Sequence, residues 1–284
     1  MMNESEIEER KQQLCDIGQR IYQKGFAAAN EGNLSAKIGE DRVLCTPTLA
    51  CKGFLKPSDL CTVDMSGQQV AGARKATSEV LLHLNIYRQR PDVTAVVHCH
   101  PPHATAFGVA REPIPVGVLP EPDIFLGEVP IAPYETPGNQ AFADTILEFV
   151  HSTDTIILAN HGTVSYGASI EKAYWLTEVL DAYCRILILA KQIGRVEYLA
   201  LDKAQELLEL RRQWGFEDPR NSSAYADRQQ DICSHVQFRK TWNESDIRKS
   251  GFPEFHTSNR FPDTEALIEQ IAERVVEKLR QSDT

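Results

Sequence analysis

The sequence has no run of about 18 consecutive apolar residues, the length a helix needs to cross a membrane, so no membrane-spanning helix is expected. It also has no surplus of positive charge. The formal net charge is -10, and non-specific nucleic-acid binding needs a basic footprint. Nucleic acid is therefore excluded as a general partner, whereas a local basic pocket for an anionic ligand is not. Met1 to Lys11 is acidic and polar, without the basic and then apolar order of a secretory signal. The seven cysteines are scattered and odd in number, which suits reduced thiols in a cytoplasmic setting better than a disulfide framework. Internal repeats are missing too. What is present is 284 residues, 42% of them hydrophobic, ample for a sizeable core in one large or two modest domains.

The densest chemical signal is Val96-Val97-His98-Cys99-His100-Pro101-Pro102. Thr94 to Val97 reads as a short buried strand, and strand side chains repeat every second residue, so His98 and His100 share a face while Cys99 takes the other. Two imidazoles about 6 to 7 Å apart on one strand face can reach a single divalent ion. Two histidines satisfied by backbone carbonyls would read the same way. The balance moves towards zinc or a similar metal with His161, which follows a second apolar run from Thr155 to Leu158.

Taken in order, Ile7, Leu14, Ile17 and Ile21 recur at helical spacing from Glu6 to Lys24, and Gly25 ends the helix. Asn30 to Ser35 is turn-rich and is consistent either with a cradle of amides for an oxyanion or with a plain turn. Val43 to Thr46 and Leu60 to Asp64 look like strands. The loop between them carries Lys52, Gly53 and Lys56, and lysines in such loops are usually solvated. Thr77-Ser78-Glu79 opens a helix to about Arg90, whose first amides favour an anion; Glu79 itself is a candidate catalytic acid or a first-turn acid complementing the helix dipole. Pro101 begins a short helix through Val109, and a strand is expected near Val129 to Ala132. Gln140 to Val150, Ser169 to Ile193 and Leu201 to Trp214 read as helices. Strands and helices alternating from Val43 to Ile193 predict a mixed α/β domain.

Five blocks in this order resemble the class II aldolase and adducin family, of the L-fuculose-phosphate aldolase type, over roughly Ile7 to Arg195. They are Gly32-Asn33-Leu34-Ser35, Thr46-Pro47-Thr48, Thr77-Ser78-Glu79 with His83, Val97 to Pro102, and Asn160-His161-Gly162. The resemblance implies an α/β/α sandwich around a largely antiparallel sheet over residues 1–216. It also implies a homotetramer with active sites between subunits, and one zinc ion per subunit on His98, His100 and His161. Glu79 would be the acid–base residue, and Gly32, Asn33, Thr48, Thr77 and Ser78 would hold a substrate phosphate. The implied activity is retro-aldol cleavage of a deoxy-ketose 1-phosphate into dihydroxyacetone phosphate and an aldehyde. Sugar-phosphate epimerases and dehydratases of the same fold are alternatives, as is an adducin-like assembly domain without catalysis. Two positions depart from the pattern. Leu49 stands where many aldolases have glycine, a place where Lys52 and Gly53 would have to compensate in phosphate binding, and no tyrosine occupies the region of Leu119 and Glu121, where the fuculose-phosphate enzymes carry one.

The chemistry has a footing independent of the family. Three neutral imidazoles leave zinc an open position, the mark of a catalytic site. A cation there stabilises the enediolate formed when a carbon–carbon bond breaks beside a carbonyl. A nearby carboxylate moves the proton at carbon. Beyond the catalytic part, 217–261 reads as a polar arm or linker. Residues 262–284 read as an amphipathic helix with Leu267, Ile271, Val275 and Leu279 on one stripe. Such a helix packs on its own domain or a neighbour, or it resembles the encapsulation peptides that dock enzymes on the shell proteins of bacterial microcompartments.

Overall fold

The computed structural model of the chain describes residues 2–216. The expected arm over 217–261 and helix over 262–284, with the encapsulation role attached to them, lie outside the described residues. Within the described residues the strands are β1 (Asn33–Gly39), β2 (Arg42–Cys45), β3 (Cys61–Val63), β4 (Gln69–Ala71), β5 (Ala95–Cys99), β6 (Ile131–Ala132), β7 (Thr155–Leu158) and β8 (Gly162–Gly167). They form one sheet in the order β4-β3-β2-β1-β5-β8-β7-β6. Only the β6–β7 pair is parallel; the others are antiparallel.

The helices are α1 (Glu4–Gln23), α2 (Val80–Gln89), α3 (Pro102–Ala110), α4 (Pro120–Phe125), α5 (Gln140–Asp144), α6 (Ile170–Ile193) and α7 (Leu201–Gln213). α1 starts where Asn3 and Glu6 satisfy each other's backbone amides, at 3.0 and 2.7 Å. Its Leu14, Ile17 and Ile21 pack with Ile170 and Tyr174 of α6 on one face of the sheet, against Leu34, Val97 and Cys99. On the other face Leu82 and Ile86 of α2 and Phe142 of α5 pack against Val43, Val63, Val96 and Tyr166. The result is the three-layer α/β/α sandwich that the five blocks imply. Strand alternation in β5 sends Val96 to one core and Val97 and Cys99 to the other, so His98 leaves the sheet on the Val96 side.

Three strands differ from the expectation. Asn33–Gly39 is a strand and not the tail of a turn, and β4 and β8 have no counterpart in the sequence reading. β1 lies between β2 and β5 with both faces covered, so Asn33 to Ala36 are all buried and the polar–apolar alternation of a half-exposed strand never develops. The helix expected over Gln140 to Val150 is α-helical only to Asp144 and continues as turns. No helix among the described residues is long and apolar enough to cross a membrane.

Leu14 is completely buried between α1 and the sheet. Leu14→Ala should cost about 2–5 kcal/mol of folding stability, read as a lower urea midpoint with unchanged m-value; a loss under about 0.5 kcal/mol would mean that α1 is not anchored to this face.

Candidate metal centre

The site forms where the ends of β1, β5 and the β7–β8 hairpin meet. In register, Asn33 of β1 lies opposite His98, and His98 and Cys99 lie opposite Val164 and Thr163 of β8. His100 comes one residue after β5, its N–H donating to the Phe26 carbonyl at 2.7 Å. His161 sits in the turn between β7 and β8, after Asn160 in the left-handed region (φ 52). Gly162 is required there, since a Cβ would lie 2.5 Å from both the Cys99 carbonyl oxygen and His100 Cδ2. Gly32 (φ 71) is similarly constrained, with a Cβ falling 2.8 Å from the His98 carbonyl oxygen. Both glycines thus exist to let backbone pass close to the histidine strand.

The three rings form a nearly equilateral set, with centroids 5.1, 4.8 and 5.0 Å apart, and one ligand nitrogen of each lies within 4.8 Å of the others. His98 Nδ1–H donates to the Thr163 carbonyl at 2.9 Å. His100 Nδ1 faces the Glu31 carboxylate at 3.4 Å. Burial lowers the pKa of all three histidines, so they are neutral. With hydrogens on the Nδ1 atoms, Nε2 of His98 and of His100 present bare lone pairs to each other across 3.3 Å. A cation between them satisfies both. Zinc–nitrogen bonds of about 2.0–2.1 Å in a tetrahedron place two ligand nitrogens about 3.4 Å apart. The donor set therefore fits such an ion.

Glu79 is the N-cap residue of α2, yet its side chain makes no capping hydrogen bond. It turns inward instead, with Oε2 3.2 Å from His98 Nε2 and Oε1 3.4 Å from His161 Nε2. Asn33 Nδ2–H donates to Oε2 at 2.6 Å. Burial raises the Glu79 pKa, opposed by that hydrogen bond and by the charge of Lys52.

The expected phosphate residues cluster on one rim. Pro47 bridges Ala76 in antiparallel fashion, while Thr48 N–H donates to Lys75 O at 2.9 Å and Thr77 N–H to Thr46 O at 3.2 Å. The two hydroxyl blocks thus run side by side, with Thr48 half-buried, Thr77 buried and Ser78 exposed. Leu49 keeps a φ of 54, the region glycine favours, and is 76% exposed. Lys52 corrects the expectation of a solvated side chain: it is 2% exposed. Its ammonium donates to the carbonyls of Asn30 and Ala50 at 2.8 and 2.6 Å, which ties the Gly32 turn to the loop after Thr48. Burial pulls its pKa down to about 8.

Sequence reasoning missed Glu31, Thr163 and Asp181. Glu31 and Thr163 orient ligand imidazoles, and Asp181 of α6 accepts from His103 N and Ala104 N at 2.8 and 3.1 Å, anchoring the start of α3 just after the ligand strand. None had a local signal, because each acts across a long stretch of chain.

The chain belongs to the class II aldolase and adducin family: the family model described as Class II Aldolase and Adducin N-terminal domain matches residues 12–188. It is 36% identical over 173 residues to an L-fuculose phosphate aldolase of Methanococcus vannielii, covering 61% of this chain and 91% of that one. It is 31% identical over 201 residues to a 3-oxo-tetronate 4-phosphate decarboxylase of Escherichia coli (strain K12), covering 69% and 94%. A solved L-fuculose 1-phosphate aldolase superposes with a TM-score of 0.67 at 26% identity, covering 76% of this chain and 99% of that one.

Two measurements follow. His98→Ala and His161→Ala should each lose tightly bound divalent metal in elemental analysis, since two imidazoles and water hold the ion far more weakly than three; full occupancy in both would remove the assignment. Burial also pulls the pKa of His83 to about 3 and of His161 to about 4, against an ordinary value of 6.5. The unfolded chain therefore binds more protons below 6.5, so their contribution to stability is fully present above that pH and declines as the pH falls towards 4. Chelated protein should show a lower urea midpoint at pH 5 than at pH 7, and an unchanged midpoint would contradict the buried neutral histidines.

Proposed function

We propose that the chain is a zinc-dependent carbon–carbon lyase that cleaves a deoxy-ketose 1-phosphate of the fuculose or rhamnulose type into dihydroxyacetone phosphate and an aldehyde. The observation that carries this reading is the convergence of three neutral imidazoles on one point with the partly buried Glu79 carboxylate beside them. His98, His100 and His161 would hold one ion per subunit, which when bound supplies Lewis-acid polarisation of adjacent carbonyl and hydroxyl oxygens. Glu79 is the acid–base residue, because burial raises its carboxyl pKa and so favours its holding a proton and returning it to carbon. Gly32, Asn33, Thr48, Thr77 and Ser78 take the phosphate on the rim, helped by the first amides of α2. One N–H of the Asn33 amide is committed to Glu79, and the second serves the phosphate. Fixing the phosphate away from the reacting carbon turns binding into orientation.

A second reading, decarboxylation of 3-oxo-tetronate 4-phosphate, is favoured by the relative of that name. In both reactions the bond broken lies between the α-carbon of a ketone and its neighbour, and both leave the same dihydroxyacetone phosphate enediolate. Glu79 protonates the same carbon in either case. Aldol cleavage additionally removes a proton from a hydroxyl, and neither Leu119, which precedes α4, nor exposed Glu121 replaces the tyrosine that the fuculose-phosphate enzymes carry in this region. That difference keeps decarboxylation in contention.

The same reading carries a homotetramer with sites between subunits; Leu49, a strongly exposed apolar residue directly after Thr48, offers surface for it. A cytoplasmic setting fits the described cysteines, all of which are free, and residues 262–284 are proposed as the segment that would meet microcompartment shell proteins.

Glu79→Gln should keep its metal and lose at least about 10²-fold in kcat. The assay is a panel of L-fuculose 1-phosphate, L-rhamnulose 1-phosphate and 3-oxo-tetronate 4-phosphate, with aldehyde and carbon dioxide quantified separately. Near-normal turnover by the variant would reduce Glu79 to a helix-start acid, and turnover of none of the three would defeat the proposed function.

A further inference from the structure

His83 belongs to a block singled out in the sequence, yet it neither meets the imidazole trio nor lies on the phosphate rim. Glu79, His83 and Tyr87 are spaced by four and form one stripe of α2, while Asn33 and Ser35 share one face of β1. Four helical residues rise about 6.0 Å and two strand residues about 6.8 Å, so the two ladders interleave rung by rung. The contacts run without a gap from the site into the core. Asn33 Nδ2 lies 2.6 Å from Glu79 Oε2, and Asn33 Oδ1 lies 2.6 Å from His83 Nε2. His83 Nδ1 lies 2.7 Å from Ser35 Oγ, and Ser35 Oγ lies 2.7 Å from Tyr87 Oη. Each of Asn33, Ser35, His83 and Tyr87 is at most 5% exposed.

With Glu79 ionised, donor and acceptor chemistry leaves one arrangement of hydrogens. An amide oxygen only accepts, so with Asn33 Nδ2 donating to the carboxylate, Asn33 Oδ1 must accept from His83 Nε2–H. Burial holds His83 neutral, hence its Nδ1 is bare and accepts from the Ser35 hydroxyl. The Ser35 oxygen is left to accept from Tyr87, a phenol that burial keeps protonated.

We propose that Tyr87, Ser35, His83 and Asn33 are positioning residues, a one-directional relay of hydrogen bonds that pins Glu79 Oε2 and reserves Oε1 for the proton moved at the substrate carbon. This rests on Glu79 as the proton carrier. Oε2 already receives a donor, so it is the poorer site for a proton, while Oε1 faces His161. A flipped Asn33 would press its amide oxygen against a carboxylate oxygen, and the relay prevents that.

Full-length protein carrying ¹⁵N-histidine tests the hydrogens directly. His83, assigned by its loss in His83→Gln, is expected to be protonated at Nε2 and bare at Nδ1; the opposite tautomer overturns the relay whatever the enzyme turns over. The kinetic arm uses L-fuculose 1-phosphate and 3-oxo-tetronate 4-phosphate. Ser35→Ala and Tyr87→Phe should each lower kcat, by up to about 10- to 100-fold as for other outer-shell partners, with KM and bound zinc unchanged. His83→Gln, whose amide can still donate where Nε2–H stood, should retain more kcat than His83→Leu. Equal kcat in those two variants, unchanged kcat in Ser35→Ala and Tyr87→Phe, or a loss confined to KM or to metal content would overturn the proposal. If His83→Leu does not fold, the two smaller deletions and the tautomer still decide. If the wild type turns over neither phosphate, the kinetic arm moves to L-rhamnulose 1-phosphate; if that too is untouched, the proposed function fails, and the tautomer alone decides the relay.

Discussion

Two bare nitrogen lone pairs held 3.3 Å apart, on His98 and His100, are the contact on which the rest of this structure depends. With both Nδ1 atoms protonated such a pair calls for a shared electron-pair acceptor, and the fold has to hold the two rings together. It does so with carbonyl and carboxylate acceptors at the opposite ring nitrogens and with a sheet whose central strand, β5, is buried along its whole length. The arrangement resembles other metal sites in which outer partners fix the tautomer of each ligand.

Burial acts on the two kinds of titratable group in opposite senses. It lowers the pKa of the imidazoles, which keeps their lone pairs free for a metal, and raises that of Glu79, which suits it to carry a proton. The same burial thus acts on both partners. Lys52 tempers the second effect: its buried ammonium lies near enough to Glu79 to favour the carboxylate, and it also ties the turn before β1 to the loop after Thr48. A charge first read as surface decoration turns out to be internal to the site.

The placement of Glu79 shows how local and tertiary forces are divided. At a helix start an acid ordinarily caps the backbone amides or complements the dipole. Here the side chain makes no cap, because Asn33 on a neighbouring strand offers a donor at 2.6 Å. The first amides of α2 thereby receive no cap from Glu79.

By itself the sequence determined the histidine pair, the third histidine, the carboxylate and the hydroxyl blocks, because alternation along a strand, the spacing of a helix and the turn chemistry of glycine are local properties that residue order writes down. It also determined the layered α/β class, through five blocks that keep their order. Tertiary structure alone decided that Asn33–Gly39 is a strand, since a strand covered on both faces has no alternation to read and its Asn33 and Ser35 look like turn residues until their partners are seen. It decided as well that Lys52 is buried, that Glu31, Thr163 and Asp181 serve the ligand strand, and that His83 and Tyr87 stand in line behind Glu79. Those roles come from contacts between segments distant in the chain, where hydrogen-bond partners are chosen by strand pairing and helix docking, and no local pattern of residues encodes them.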